Sequence, residues 1–311
     1  MKIAIIGAGI NGLYLASKLA QRGEKTFVFE KQGKIGKEAC SGLFSENILK
    51  FIPQSKDLIE NKISYSLVHF PKKTVRVDFS RKFLVMSHKK LDNLMAGLAR
   101  QAGAEILLNQ NINKETLVAN FSRIIGCDGA NSIVRQWFNF KKRKHYLGIQ
   151  GFTSKPDYSN YVETWPLKPG GFIWKIPRCQ ETEWGIMSEP VKAKEIFDKF
   201  LKKNNLYLKN VRSALVPQEF NLPKNNRITL CGDAAGLIKP WSGGGVIWGL
   251  IGAELFLKNY PDFLKYEKEI KRFFLPKILF SRLAVKAVYL CGFNFPLFLP
   301  KKTKIKDDFL I

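Results

Sequence analysis

The spacing of apolar residues changes period several times along this chain, and each change marks an element. Lys2-Ile3-Ala4-Ile5-Ile6 is a short continuous apolar run, as in a strand buried on both faces. Beyond a glycine cluster, Leu13, Leu15, Ala16, Leu19 and Ala20 recur at helical spacing as far as Gly23, which can close the helix. A second strand, Lys25 to Phe29, stops at Glu30. Far downstream, Arg227-Ile228-Thr229-Leu230 again leads into glycines. Between these regions the period drops to two. Ile63 to Phe70 and Lys73 to Phe79 alternate on either side of Pro71-Lys72, as a hairpin does, and later strand-like runs precede a helix from Val191 to Lys203. The pattern predicts an α/β protein. Residues 1–62, 87–141 and 223–258 supply a Rossmann-like dinucleotide-binding domain, and 63–86 with 142–222 an inserted antiparallel-sheet substrate domain with a helix. Residues 259–311 form a C-terminal apolar and basic helical segment.

The two glycine clusters carry the chemistry. The first is Gly7-Ala8-Gly9-Ile10-Asn11-Gly12, between a strand and a helix. Glycines there let the backbone approach a pyrophosphate whose charge rests on the helix N-terminus. Glu30, followed by Lys31, lies about twenty residues further on, where an acid accepts hydrogen bonds from an adenosine ribose. The second cluster runs from Cys231 to Gly245. In it Asp233 either accepts from a ribityl hydroxyl or caps the following helix, while Gly244, Gly245 and Val246 offer amides to a flavin. Two such sites at opposite ends of the chain, closing on one ligand, point to FAD.

Further segments give the chain a family likeness. Cys40-Ser41-Gly42-Leu43-Phe44-Ser45 has the form C-x-G-L-x-S. Cys127-Asp128-Gly129-Ala130-Asn131-Ser132-Ile133-Val134-Arg135 contains D-G-x-x-S-x-V-R, and Phe172-Ile173-Trp174-Lys175-Ile176-Pro177 precedes Trp184-Gly185. With the glycine clusters, these segments resemble the glutathione-reductase-like FAD superfamily and, within it, the geranylgeranyl reductase family. One departure is that His88, four residues before Asp92, stands where the family usually has arginine. The resemblance implies an FAD-dependent reductase that saturates C=C bonds of geranylgeranyl chains, free or lipid-linked, with hydride from reduced flavin. It implies that Cys40, Ser41, Gly42, His88, Asp128 and Gly129 lie about the flavin. Phe172, Trp174, Pro177, Pro240 and Trp241 would line the substrate pocket. Cys40 is then either a reactive thiol or a small buried hydrophobe, and Trp174 either pocket lining or sheet core. Two alternatives stay open: a flavin monooxygenase or halogenase of the same superfamily, and a non-catalytic, membrane-associated lipid-binding protein.

Composition narrows the partners. The 311 residues carry a net charge of +25 and 45% hydrophobic residues. The lysines are spread along the chain and no nucleic-acid motif accompanies them, so nucleic acid is not expected. An anionic membrane surface, or an acidic electron donor such as ferredoxin, suits the charge better. The five cysteines and three histidines are scattered, which argues against a metal site. The first strand begins at residue 2 with no signal sequence before it, so the expected location is cytoplasmic, with peripheral contact at the inner face of the membrane. Phe273 to Pro300 is rich in apolar residues, interrupted by Lys277, Arg282 and Lys286, and is followed by Lys301-Lys302. It is too short and too broken to span a bilayer, and fits either an interfacial segment or helices packed on the substrate domain.

Overall fold

A computed structural model describes residues 1–140, 144–306 and 308. In chain order, β1 (Lys2–Ile6), α1 (Ile10–Gln21) and β2 (Lys25–Phe29) come first, then β3 (Leu43–Ser45) and α2 (Ile48–Phe51). The hairpin strands β4 (Ile59–Phe70) and β5 (Lys73–Met86) lead to α3 (His88–Gln101), β6 (Glu105–Leu107), α4 (Lys114–Asn120), β7 (Arg123–Gly126) and α5 (Ile133–Gln136). Next are β8 (His145–Thr153), β9 (Tyr161–Pro166), β10 (Phe172–Pro177), β11 (Thr182–Ser188), α6 (Pro190–Lys203) and β12 (Lys209–Pro217). The chain then returns through β13 (Ile228–Leu230) and α7 (Val246–Asn259) to the long α8 (Phe263–Asn294) and β14 (Lys302–Ile305).

Two sheets result. The first has five parallel strands in the order β13-β7-β1-β2-β6. Its central strand β1 is flanked on both edges and covered on both faces, so Ile3, Ala4 and Ile5 have no exposed surface and the run reads as continuously apolar. Leu13, Leu15 and Leu19 of α1, Trp248 and Phe256 of α7, and Tyr266 and Phe274 of α8 fill the same core. The second sheet orders β12-β8-β11-β10-β9-β4-β5-β14, with β3 also paired to β5. Its pairs are antiparallel except β4–β9 and β5–β14.

Alternation divides the second sheet into two faces. Ile173, Ile186 and Trp184 pack under α6 with Phe197 and Phe200, away from the other sheet. Trp174, Ile176, Met187, Ile63 and Val85 form the opposite, inner face. That face meets the Cys40 segment: Gln150 Nε2 donates to the Cys40 carbonyl at 3.1 Å, and Arg178 Nη2 to the Ser41 carbonyl at 2.7 Å.

Three features depart from the sequence expectation. β3 and the start of β4 lie within residues 1–62 yet belong to the second sheet, because the free edge of β5 pairs with both. The segment from 259 is α-helical only as far as Asn294, with a single 3-10 turn at Pro296–Phe298. Lys302–Ile305 then adds a parallel strand along Arg76–Phe79, whose edge amides and carbonyls would otherwise be unpaired. α8 itself is one 32-residue helix through Pro276, not several short ones. Its first half packs on the dinucleotide-binding core, while Gly292 near its end lies against the ring of Phe70.

Candidate functional site

The first glycine cluster forms a tight turn at the end of β1. Gly7 takes a φ of +103°, and a side chain at Gly12 would place its Cβ 2.1 Å from the Gly7 carbonyl oxygen. The helix can therefore start this close to the strand only with glycine at 12. Gly9, the N-cap of α1, makes no side-chain cap, and a Cβ there would meet nothing within 4 Å. The N-terminal turn of α1 thus faces open space, the geometry that receives a phosphate. Glu30 reaches this loop, accepting from the Ala8 amide at 2.8 Å and the Gln32 amide at 2.9 Å. Lys31 is exposed beside it.

Asn11 ties the two clusters together. Its side chain sits so close to Gly232 and Gly249 that a Cβ on either would come within 2.5 Å of its amide nitrogen, and its Oδ1 is buried without a partner. Ile10 beside it is buried. Asp233 lies in a single 3-10 turn, 3.3 Å from Lys37 Nζ. Gly245 is held next to it, where a Cβ would come 2.6 Å from Asp233 Oδ1. Gly244 is exposed, and Val246 opens α7. The loop between them closes through the Lys239 amide to the Gly244 carbonyl (3.1 Å) and the Gly243 amide to the Lys239 carbonyl (3.0 Å). It abuts the inner face of the second sheet at Met187.

Where these parts converge there is a polar relay. Cys40 lies near enough to His88 for their charges to interact, and His88 Nε2 lies 3.3 Å from Asp92 Oδ1, one turn along α3. Asp92 Oδ2 accepts from the Lys37 amide at 2.8 Å, which pins the loop carrying Cys40 to α3. Burial alone would lower the His88 value, but Asp92 and Cys40 outweigh it and His88 is pushed up to about 10. Burial likewise pushes the Cys40 thiol up, and the positive charges of His88 and Lys37 more than reverse this, holding it below the usual thiol range. The Asp233 carboxylate raises Lys37. Both shifts favour a thiolate beside an imidazolium, with Asp92 orienting the imidazole.

A second buried network supports the segment from behind. Arg178 Nε donates to Glu183 Oε2 at 2.8 Å, Nη1 pairs with Glu60, and Nη2 holds the Ser41 carbonyl. Trp174 Nε1 donates to Glu183 Oε1 at 3.0 Å. Burial drives the Glu183 carboxyl up to about 7, because Arg178 and Trp174 only partly compensate. Trp174 and Phe172 thus both lie on the inner face, whereas alternation turns Pro177, along with Lys175, to the other side. Lys175 is engaged there by Asp157 (2.9 Å) and Glu163 (3.1 Å). Trp241 meets Trp248 edge-on, and Pro240 beside it is half-buried. Asp128 turns inward, its Oδ2 accepting from the Ile133 and Val134 amides at 2.6 and 3.2 Å, while Gly129 borders open space.

Residue patterns mark the glycine loops, Glu30, Cys40 and His88. They do not mark Lys37, Gln150, Arg178 or Glu183. Asp92 is visible four residues after His88, a spacing that places both on one helix face. The others reach the site only through tertiary contact. Among the described residues no cluster fit to hold a metal ion is present.

The residues present fit FAD. The uncapped start of α1 opens on free space, Glu30 stands at the strand end, and the orphaned Asn11 Oδ1 lies between the two glycine clusters. Residues 5–47 match the NAD(P)-binding Rossmann-like domain family. The chain is 25% identical over 305 residues to digeranylgeranylglycerophospholipid reductase of Methanocaldococcus jannaschii, covering 82% of this chain and 76% of that one. It is 24% identical over 328 residues to the protein of that name from Thermoplasma volcanium, covering 86% and 83%. Among solved structures, a geranylgeranyl bacteriochlorophyll reductase-like protein from Thermoplasma acidophilum superposes with a TM-score of 0.80 at 21% identity, over 92% of this chain and 86% of the other. A halogenase in complex with FAD gives 0.71 at 15%, over 96% and 78%. Fold and site define an FAD-dependent oxidoreductase of the glutathione-reductase-like class. Within that class the chain is similar, along most of its length, to the geranylgeranyl reductases, and its enzymatic character sets aside the non-catalytic alternative.

Proposed function

We propose that this protein saturates C=C bonds of a geranylgeranyl chain, presented as a free diphosphate or on a glycerolipid. One observation carries the reading. The segment that carries Cys40 to His88 is fixed, through Gln150 and Arg178, to a sheet whose inner face is built from Ile63, Val85, Trp174, Ile176 and Met187. When bound, reduced flavin supplies a hydride to one alkene carbon. The chain's own residues supply the rest. The inner face offers an isoprenoid a dry wall, and Phe79, Phe83 and Phe172 extend it. His88, which Asp92 keeps oriented, holds the proton and passes it by way of Cys40 Sγ to the second carbon. Excluding water matters because an isolated alkene accepts hydride poorly, so both transfers must be held in register.

The decisive experiment is anaerobic. The reduced flavoprotein is mixed with geranylgeranyl diphosphate, or with a geranylgeranylated glycerolipid, and flavin reoxidation is followed together with product mass. Reoxidation with a gain of two hydrogens per step is expected. Reoxidation only after oxygen is admitted would refute the proposal in favour of an oxygen-using flavoenzyme.

The surroundings agree with a lipid substrate and an acidic donor. No helix among the described residues is long and apolar enough to cross a membrane. Yet α8 and the turn after it expose Leu279, Leu283 and Leu290, with Leu297 92% and Phe298 81% exposed. Lys277, Arg282, Lys286, Lys301 and Lys302 flank these side chains. Apolar burial and attraction to anionic lipid act together on such a strip, so it suits peripheral docking. The net charge of +25 equally suits an acidic electron-transfer protein.

A further inference from the structure

The last described residue is held where a tail would not ordinarily be. Asp308 is 1% exposed. Its carboxylate is gripped by Lys239 Nζ, by the Ser45 hydroxyl and by Asn47 Nδ2 at 2.8 Å, and its carbonyl accepts from Trp248 Nε1 at 3.1 Å. The three groups on the carboxylate come from the two segments that make the active site. Ser45 ends the Cys40 segment and Asn47 follows it, while Lys239 opens the glycine loop before Pro240 and Trp241. Lys239 and Ser45 are themselves buried, at 6% and 0% exposure. An ammonium, a hydroxyl and an amide N–H converging in a buried place form an anion receptor. Without an anion the ammonium would be left desolvated and unpaired, at high cost.

The receptor adjoins the apolar wall. Lys239 Nζ lies 5.9 Å from the ring centres of both Phe83 and Trp241, and the Phe83 ring meets that of Phe79 at 4.6 Å, tilted by 50°, along the inner face. An anionic head at Lys239 would therefore place an attached hydrocarbon chain on Phe83 and the sheet beyond it. By contrast, the segment bringing Asp308 in is lightly held. Among the described residues β14 is four residues long, pairs with one strand only and leaves three of its four residues exposed. One salt bridge, Lys302 to Asp78 at 2.9 Å, adds little.

We propose that Lys239, Ser45 and Asn47 form the subsite for a phosphate or diphosphate head group, and that Asp308 fills it as an internal competitor which the substrate displaces. The proposal rests on the prenyl-reductase reading for the chain attached to that head, but the anion subsite can be tested without turnover. Inorganic pyrophosphate is titrated calorimetrically into the FAD-loaded full chain, into Asp308→Asn and into Asp308→Asn/Lys239→Met. A site filled by its own carboxylate about nine-tenths of the time is open one-tenth of it, so Asp308→Asn should bind pyrophosphate about ten-fold tighter or more. The double variant should not bind. The unmodified chain provides a check independent of mutant folding: saturating pyrophosphate should speed hydrogen exchange of the amides at 302–306.

If Asp308→Asn, with its flavin spectrum intact, binds pyrophosphate no better than the parent, the proposal is overturned. It is overturned equally if tail exchange in the parent ignores pyrophosphate. The failure of the prenyl reading looks different. Pyrophosphate would then bind and release the tail, yet geranylgeranyl diphosphate would never reoxidise the reduced flavin. Reduction of the prenyl chain uninhibited by pyrophosphate would instead leave that reading standing and remove the subsite.

Discussion

Arg178→Met tests how the second sheet holds the reactive segment. Arg178 is buried among two carboxylates and a carbonyl, and methionine keeps most of its apolar stem while removing all its donors. Glu183, with no exposed surface, loses its counter-ion and keeps only the Trp174 N–H. Leaving one member of a buried pair alone costs about 3–5 kcal/mol. For a chain of 311 residues, an unfolding entropy of about 2.1 cal/mol/K per residue converts this into a fall in Tm of about 5–8 °C. The deficit has a pH signature. Glu183 in the parent holds its proton up to about pH 7. Without Arg178 the folded state holds that proton to higher pH, while the unfolded state has already lost it. Stability of the variant therefore keeps falling above pH 7, by about 1.4 kcal/mol per pH unit relative to the parent. Thermal unfolding of parent and variant at pH 6, 7 and 8, at fixed FAD concentration, measures both effects. Because the Ser41 carbonyl also loses its donor, the variant should shed flavin on desalting. A Tm change under 2 °C, or a deficit unchanged between pH 7 and 8, would refute the reasoning. Arg178→Met/Glu183→Leu should regain much of the lost stability, since no carboxyl stripped of its partner then remains buried.

Other outcomes follow from the same geometry. Gly12→Ala should fail to fold normally, because its Cβ strikes backbone 2.1 Å away, whereas Gly9→Ala should fold with an unchanged apo Tm yet bind FAD at least about ten-fold more weakly, since a Cβ there enters the ligand's space. Flavin fluorescence titration separates the two. Cys40→Ser should slow anaerobic reoxidation by prenyl substrate about 10²-fold or more, the usual worth of a positioned proton donor, while leaving the flavin spectrum unaltered. His88 gains stability from a raised value, so that contribution is complete below about pH 6.5 and is lost as pH rises through about 10. The urea midpoint of His88→Gln should accordingly differ most from the parent near pH 6 and converge with it above pH 10. Leu297→Asp/Phe298→Asp should abolish co-sedimentation with anionic vesicles without changing turnover of geranylgeranyl diphosphate in solution; unchanged sedimentation would reject α8 and its turn as the docking surface.

The parts of this protein that depend on local rules are legible in the residue order itself. A strand–glycine–helix unit needs its glycines where backbone meets backbone, and Gly7, Gly9 and Gly12 announce that need by position alone. Period-two alternation marks the hairpin at Pro71-Lys72, and the helix at 190–203 declares itself by its spacing. Cys40 and His88 stand out through family likeness, but their pairing does not, because they lie on different elements.

What sequence alone determined was the set of local conformations and the ligand chemistry they serve: the βαβ unit, the second glycine loop and hence FAD. Tertiary structure decided which side chains share an environment. It brought Lys37 to Asp233, Arg178 to Ser41, and Asp308 to Lys239. It also turned Pro177 away from Trp174 and moved residues 302–305 from an expected helical tail to the edge of β5. The reason is physical: glycine spacing and hydrophobic period act over a few residues, whereas the partner of a buried charge or an open strand edge is chosen by whichever distant segment packs there, and that choice leaves no periodic trace in the chain.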